Sequence, residues 1–320
     1  MLASSAAFRR ALLAWYGKHG RDLPWRDTRD PYAILVSEIM LQQTQVATVI
    51  PYYNRWLQRF PGFPALAAAS ESDVLHAWQG LGYYARARNF HALARAVTNF
   101  PTVVEEMRRL PGIGRYTANA VATFAFDQSV PVVEANIARL ISRLTNLQTP
   151  IDSAIGCESL WSSAAALVPK RNARQFNSAL MDLGAMICTA RQPKCGICPV
   201  QKFCTAKNPA ELPRKRPRAA LKILTERHAF TRKHNRILLE QATHRWRGMW
   251  ILPRLPNESK DAPIHLAEFP FTNHRITLAV HARKSSGGRW FTLRALEKIP
   301  IPSPHRRALT HLLARRHSAT

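Results

Sequence analysis

Four cysteines, Cys188, Cys195, Cys198 and Cys204, stand in the pattern C-x6-C-x2-C-x5-C, and of the chain's 5 cysteines only Cys157 lies outside it. The residues between them are rich in Lys, Arg, Pro and Gly, so the thiols cannot all be buried as core filler. The chemistry open to such a run is zinc ligation, a [4Fe–4S] cluster or two disulfides. Disulfides fit least, because the N-terminus carries no signal-peptide pattern and a reducing compartment is expected. Zinc ribbons usually pair two C-x2-C knuckles. Here one close pair has long outer spacings, so the spacing leans toward iron–sulfur and leaves zinc open.

A second candidate is an acid. Glu38 sits among Ile34, Leu35, Ile39, Met40 and Leu41. Apolar surroundings raise a carboxyl pKa and suit it to general-acid work, although a lone helical Glu is ordinarily just the wet face. A third candidate is the turn Leu110-Pro111-Gly112-Ile113-Gly114 that leads into Arg115-Tyr116-Thr117. Its glycines let a ligand approach the backbone, and the free N–H groups of a helix start favour an anion. Taken alone, such a turn is more often a plain interhelical joint.

Helices must position these groups. Apolar residues recur at three- and four-residue spacing in 5–16, 31–49, 64–78, 86–99, 116–126 and 134–147. Pro and Gly punctuate the joints at Pro61-Gly62, Gly80-Leu81-Gly82 and Pro111-Gly112. This predicts a helical domain over 1–208. A basic linker follows over 209–222, where Pro and Arg replace any periodicity. Beyond it lie short β-rich runs at 236–241, 249–253, 275–283 and 289–293 within a domain over 223–320, which a helix near 304–316 is expected to close.

Lys and Arg number 46 against 20 Asp and Glu, a formal charge of +26. Residues 1–208 carry 23 cations and 13 anions, and the remainder 23 and 7. Both parts are expected to face a polyanion with salt-sensitive affinity; a solubilising surface, or a genome that favours Arg, is the plainer reading. No stretch approaches ~20 uninterrupted apolar residues, so no membrane span is expected.

The order of these words resembles the endonuclease III and MutY family of DNA glycosylases, and most strongly the adenine-specific MutY branch. The resemblance rests on Leu23-Pro24-Trp25-Arg26, Ser37-Glu38 through Val46, Gly80-Leu81-Gly82-Tyr83-Tyr84, the 110–118 turn, Phe176-Asn177, Met181-Asp182 and the cysteine spacing. It covers residues 8–208 almost continuously and returns in the C-terminal part. It implies a mainly α fold: a two-lobed helix-hairpin-helix glycosylase domain with an iron–sulfur loop, plus a C-terminal α+β Nudix-like domain. It makes the cysteines ligands of a [4Fe–4S] cluster and Glu38 the acid that protonates adenine. Gln43 and Tyr83 are similar to residues pushed into the base stack. Trp25, Arg26, Leu41 and Thr44 fall among base and DNA contacts, and Gly112 and Gly114 at a phosphate-binding hairpin. The implied partner is double-stranded DNA with mismatched or oxidised bases, bound by a monomer. The expected location is the bacterial cytoplasm, with the nucleoid.

Tyr116 stands where lyase-competent relatives place a Lys. A phenol cannot form a Schiff base, so hydrolysis without strand cleavage is implied. Three departures follow. Val133-Glu134-Ala135-Asn136 stands where MutY usually has Asp-Gly-Asn, so Glu134 keeps the charge with one more methylene beside Asn136. Ser178 replaces the Gln or Glu that many adenine-specific members place near the flipped base. Thr272-Asn273 sits where a Phe-Ser-His loop reads 8-oxoguanine, with Asn273 in the His place. The segment Trp246–Pro253 resembles MutY's C-terminal domain, but Arg254, Leu255 and Pro256 follow instead of a Glu-rich box, so no Mg²⁺ site is expected. Three readings stay open: a monofunctional adenine glycosylase acting opposite 8-oxoguanine or guanine, a mismatch glycosylase acting on T:G or U:G, and a lesion-binding protein with weak catalysis.

Overall fold

A computed structural model describes residues 5–217, 219–256, 261–285 and 287–314. Contacts group the chain into two compact units, Met1–Gln58 with Ala96–Pro217 and Arg59–Arg95 with Arg218–Thr320. Among the described residues no helix is long and apolar enough to cross a membrane.

The first unit is helical. Pro31–Leu41 begins with proline, and the Asp30 carboxylate caps it by accepting from the N–H groups of Tyr32 (3.0 Å) and Ala33 (3.2 Å). Every residue from Tyr32 to Met40 is buried, which explains its apolar composition on all faces. The periodicity predicts one helix over 31–49. Instead the chain breaks after Leu41, Gln43 takes φ 59°, and a new helix runs over Val46–Arg59. Apolar spacing carried across the break because both helices bury their faces; spacing cannot register one left-handed residue.

Helices Ser5–His19, Ala135–Leu144 and Ala173–Met186 share a core of Phe8, Leu12, Ile137, Ile141, Phe176 and Leu183, with Phe8 edge-on to Phe176 at 6.3 Å. Ala154–Leu167 and Ala173–Met186 are helices that the periodicity did not single out. Their Ala-rich faces give little contrast for a pattern to show.

The second unit brings helices Phe63–Ala68, Glu71–Ala77 and most of Ala85–Ala96 together with the C-terminal sheets. The predicted 64–78 helix is split where Ser70 caps a new start by accepting from Asp73 N–H. His76 Nε2 lies 2.8 Å from the Glu297 carbonyl oxygen, Arg88 donates to the Arg247 carbonyl and Arg306 donates to Gln79. One sheet orders Lys222–Ala229, His274–His281 and His265–Phe271, the first pair parallel and the second antiparallel. In the other, Arg236–Gln241 pairs with Arg232–Lys233, Trp250–Ile251 and Arg289–Thr292. The strands Lys222–Ala229 and His265–Phe271 escaped the sequence reading because Glu226, Arg227, Glu268 and Pro270 interrupt their alternation. Ser303–Ala314 forms the closing helix; positions 315–316 of the expected helix, and Arg218 of the expected linker, lie outside the described residues. Pro209–Glu211 makes a turn, Leu212 is buried, and Arg216 N–H donates to Asp152.

Candidate active site

A pocket of about 550 Å³ in the first unit collects nine of the residues that the sequence singled out: Trp25, Arg26, Glu38, Leu41, Gln43, Thr44, Tyr116, Glu134 and Asn136. Glu38 projects from the buried helix Pro31–Leu41 and is 4% exposed. Tyr116 comes from the first turn of Arg115–Phe126, and its hydroxyl donates to Glu38 Oε2 at 2.5 Å. The break at Gln42–Gln45 places Gln43 and Thr44 on the pocket wall. Trp25 packs edge-on to Tyr53 at 5.4 Å.

Glu134 caps helix Ala135–Leu144. Its Oε1 accepts from Ile137 N–H at 2.8 Å, and its Oε2 accepts from Asn136 N–H at 2.8 Å and from the Asn136 amide at 3.1 Å. The carboxylate is thus turned back onto the helix start. Gly184 permits this arrangement. A Cβ there would lie 2.8 Å from Asn136 Cβ and 2.9 Å from its carbonyl oxygen.

The two acids live in different settings. Burial pushes Glu38 up to about 7, helped by the charge of Glu134 and opposed by the Tyr116 hydrogen bond. Burial also raises Glu134, but the N–H groups of Asn136 and Ile137 and the charge of Arg139 work against the rise. Donors at a helix start favour the ionised form. Such an unequal pair suits one proton donor and one anion. Tyr116 is held well above its ordinary value by burial and by Glu38, so it stays a neutral donor.

Sequence reasoning quoted Asp182 only as part of the resemblance, gave it no role at the site, and passed over Arg21. Asp182 has no exposed surface. Burial opposes its charge, yet bonds from Arg26 and Arg21 hold its carboxyl below the ordinary value. Arg26 grips it with two bonds of 2.7 Å, and Arg21 adds its backbone N–H (2.8 Å) and Nε (2.7 Å). A lone Asp inside the apolar run Leu180–Met186 was the available signal, because a buried carboxylate requires cationic partners.

Hydrogen bonds run from this pocket toward the cysteines. Arg139 donates to Asn136 Oδ1 (2.8 Å), the Gly184 carbonyl (2.6 Å) and the Cys188 carbonyl (2.8 Å). Arg143, 2% exposed, donates to Cys188 Sγ at 3.3 Å and to the Thr189 carbonyl at 2.7 Å. The four cysteines are unbridged and line one cavity of about 290 Å³ with Leu140, Ile187 and Val200. Among the described residues no three His, Cys, Asp or Glu are gathered as ligands around a single metal ion. Thiols spread around an apolar-walled cavity suit a multi-iron cluster better than one zinc atom, which must gather four sulfurs at ~2.3 Å.

Gly112 takes φ 78° in the turn before Arg115–Phe126, and Gly114 is that helix's cap without a side chain to close it. Neither glycine lines the pocket. In the second unit, Tyr83 is 47% exposed with φ 46°, and the Arg86 guanidinium lies 5.5 Å from its ring. Thr272 and Asn273 form the two-residue tip between strands His265–Phe271 and His274–His281, with Thr272 at φ 53°. Arg245 lies over Phe271 beside that tip, 4.6 Å from the ring centroid.

Residues 36–162 match the model of the HhH-GPD superfamily base excision DNA repair proteins, and residues 188–204 match the iron-sulfur binding domain of endonuclease III. A solved structure of a thermostable thymine-DNA glycosylase is 32% identical, with a TM-score of 0.57 over 63% of this chain and 95% of that one. The fold and pocket are thus those of a helix-hairpin-helix glycosylase-class repair protein. Adenine DNA glycosylase of Buchnera aphidicola subsp. Schizaphis graminum is 33% identical, over 79% of this chain and 76% of the relative. That of Rattus norvegicus is 45% identical, over 64% of this chain and 42% of the relative. The chain belongs to the adenine DNA glycosylase family, and it spans about two fifths of the length of its rat relative. Its cofactor is a [4Fe–4S] cluster.

Proposed function

We propose that this chain hydrolyses the N-glycosidic bond of adenine mispaired with 8-oxoguanine or guanine in double-stranded DNA, acting as a monomer and without lyase activity. The observation that carries the reading is Glu38, buried in one pocket with Tyr116 and with Glu134 on its helix start, where burial pushes its carboxyl up to about 7. Glu38 gives its proton to the base. The C1′–N9 bond breaks with its electron pair on the base, and the Glu134 carboxylate faces the cationic sugar. Water oxygen then bonds to C1′, and its proton returns to Glu38. Tyr116 positions the acid and offers no amine. No lysine lines the pocket among the described residues.

Cys188, Cys195, Cys198 and Cys204 hold the cluster, which supplies structure to the loop rather than chemistry to the sugar. Purified protein is expected to be yellow-brown with about four irons per chain; stoichiometric zinc without iron would overturn this assignment. The second unit reads the opposite base as a Nudix-like domain, through Thr272 and Asn273. Gln43 and Tyr83, both in the left-handed region, enter the base stack.

The hairpin amides bind a DNA phosphate. A methyl on Gly114 meets nothing within 4 Å, and φ there is −92°. Gly114→Ala should therefore fold normally yet lose about tenfold in duplex affinity at every sequence, because phosphate contacts position without reading bases. Unchanged affinity in a binding titration would remove the hairpin from the interface.

Similarity to the thymine-DNA glycosylase supports a second reading, a T:G or U:G mismatch enzyme. Single-turnover assays on A:8-oxoG, A:G, T:G and U:G duplexes, read before and after alkali, separate the two. Fastest release of adenine, with strands intact before alkali, supports the first; fastest release of thymine or uracil supports the second.

A further inference from the structure

A second cavity of about 250 Å³ adjoins the pocket, and the two share three side chains, Arg26, Arg174 and Ser178. Two of the three are fixed. Arg174 donates to the carbonyls of Phe124 (2.7 Å), Arg26 (2.5 Å) and Thr28 (2.8 Å). Arg26 is held by Asp182 and by the Arg21 carbonyl. The third, Ser178, is the smallest side chain that the two cavities share.

The chamber beyond is polar and cation-rich. Arg29 and Asp127 add to its wall, with Tyr16, Asn172 and Gln175, and no aliphatic side chain lines it among the described residues. Asp182 answers the charge of Arg26. Asp127, bonded to the Arg174 backbone N–H, and Asp27 beyond the lining set negative charge against Arg174, while Arg29 adds a further guanidinium to the wall. Such a lining accepts water, polar groups or an anion and disfavours an alkyl group.

We propose that Ser178 sets the depth of the base pocket, so that this chain also excises purines bearing a polar or anionic substituent that extends past Ser178. The inference rests on the glycosylase reading above and extends its substrate class to enlarged adenines. It is tested by single-turnover excision of adenine, N6-propyladenine and N6-carboxymethyladenine opposite 8-oxoguanine. Wild type should remove the carboxymethyl base within about tenfold of adenine and faster than the propyl base. Ser178→Gln should lower the carboxymethyl-to-adenine ratio by about tenfold or more, the scale on which a misfitting group is rejected. Arg29→Ala, outside the catalytic pocket, should leave adenine release unchanged and slow only the carboxymethyl base, by about threefold. Iron content and thermal midpoint report whether each variant has folded. Should wild type remove adenine but neither enlarged base, or should Ser178→Gln leave the ratio unchanged, the chamber holds only water and the proposal falls. If no adenine is released from any duplex, the glycosylase reading itself fails, and this inference goes with it.

Discussion

Glu38→Gln should lower single-turnover adenine release by about 10³-fold or more, while duplex affinity stays within about tenfold, because the acid acts in bond cleavage rather than in positioning. The same substitution should stabilise the protein, but only where Glu38 would be charged. A folded pKa of about 7 against an ordinary value of 4.5 means that the fold prefers the protonated acid. That preference contributes fully below pH 4.5 and is lost as the pH rises through 7. At pH 8 the fold therefore carries a buried carboxylate at a cost of about 3 kcal/mol. Glutamine removes the charge and still offers Tyr116 an acceptor. The thermal midpoint of Glu38→Gln should exceed that of wild type at pH 8 and match it near pH 4.5. In wild type, the rate from free enzyme should fall about tenfold per pH unit above pH 7, as the donor loses its proton. Near-normal turnover by Glu38→Gln, or a flat alkaline limb, would remove Glu38 from the acid role.

The second large effect belongs to Glu134. Glu134→Ala deletes the anion proposed to face the sugar and frees the N–H groups of Asn136 and Ile137. Loss of the cap costs about 1 kcal/mol of stability, and loss of the preorganised charge should reduce excision by about 10²-fold or more. Glu134→Asp should keep or raise the rate, because a shorter acid caps a helix at least as well and moves the carboxylate back along the pocket wall. The two outcomes separate charge from reach. Should Glu134→Ala match wild type, the residue is a cap and nothing more. Should wild type be inactive on every duplex while Glu134→Asp is active, the lesion-binding reading prevails.

Much of this site was legible because its chemistry depends on residue type. Cysteine spacing limits which metal centre a loop can wrap, and a phenol at position 116 supplies no amine whatever the fold. The acid at 38 was conspicuous because its neighbours are apolar, and the helix around it is buried on every face. Two glycines before a helix start marked a turn, and the turn is there. The sheets were less legible: two strands carry charges or proline that blur a period of two.

What remained hidden depends on distance across the chain. Asp182 is 156 residues from Arg26 in sequence and 2.7 Å from it in space. Only the packing of Ala173–Met186 brings that acid against Arg21 and Arg26, which line the pocket. The break at Gln42–Gln45 is invisible to periodicity, because the apolar spacing continues across it. Helices between residues 63 and 96 join the C-terminal sheets instead of their neighbours in sequence, a choice made by complementary surfaces that no local window contains. The sequence determined which groups could donate a proton, hold iron or carry charge. Tertiary structure decided which of them meet, because burial and hydrogen bonding, which set the pKa of Glu38 and the direction of Glu134, arise only when distant segments close around them.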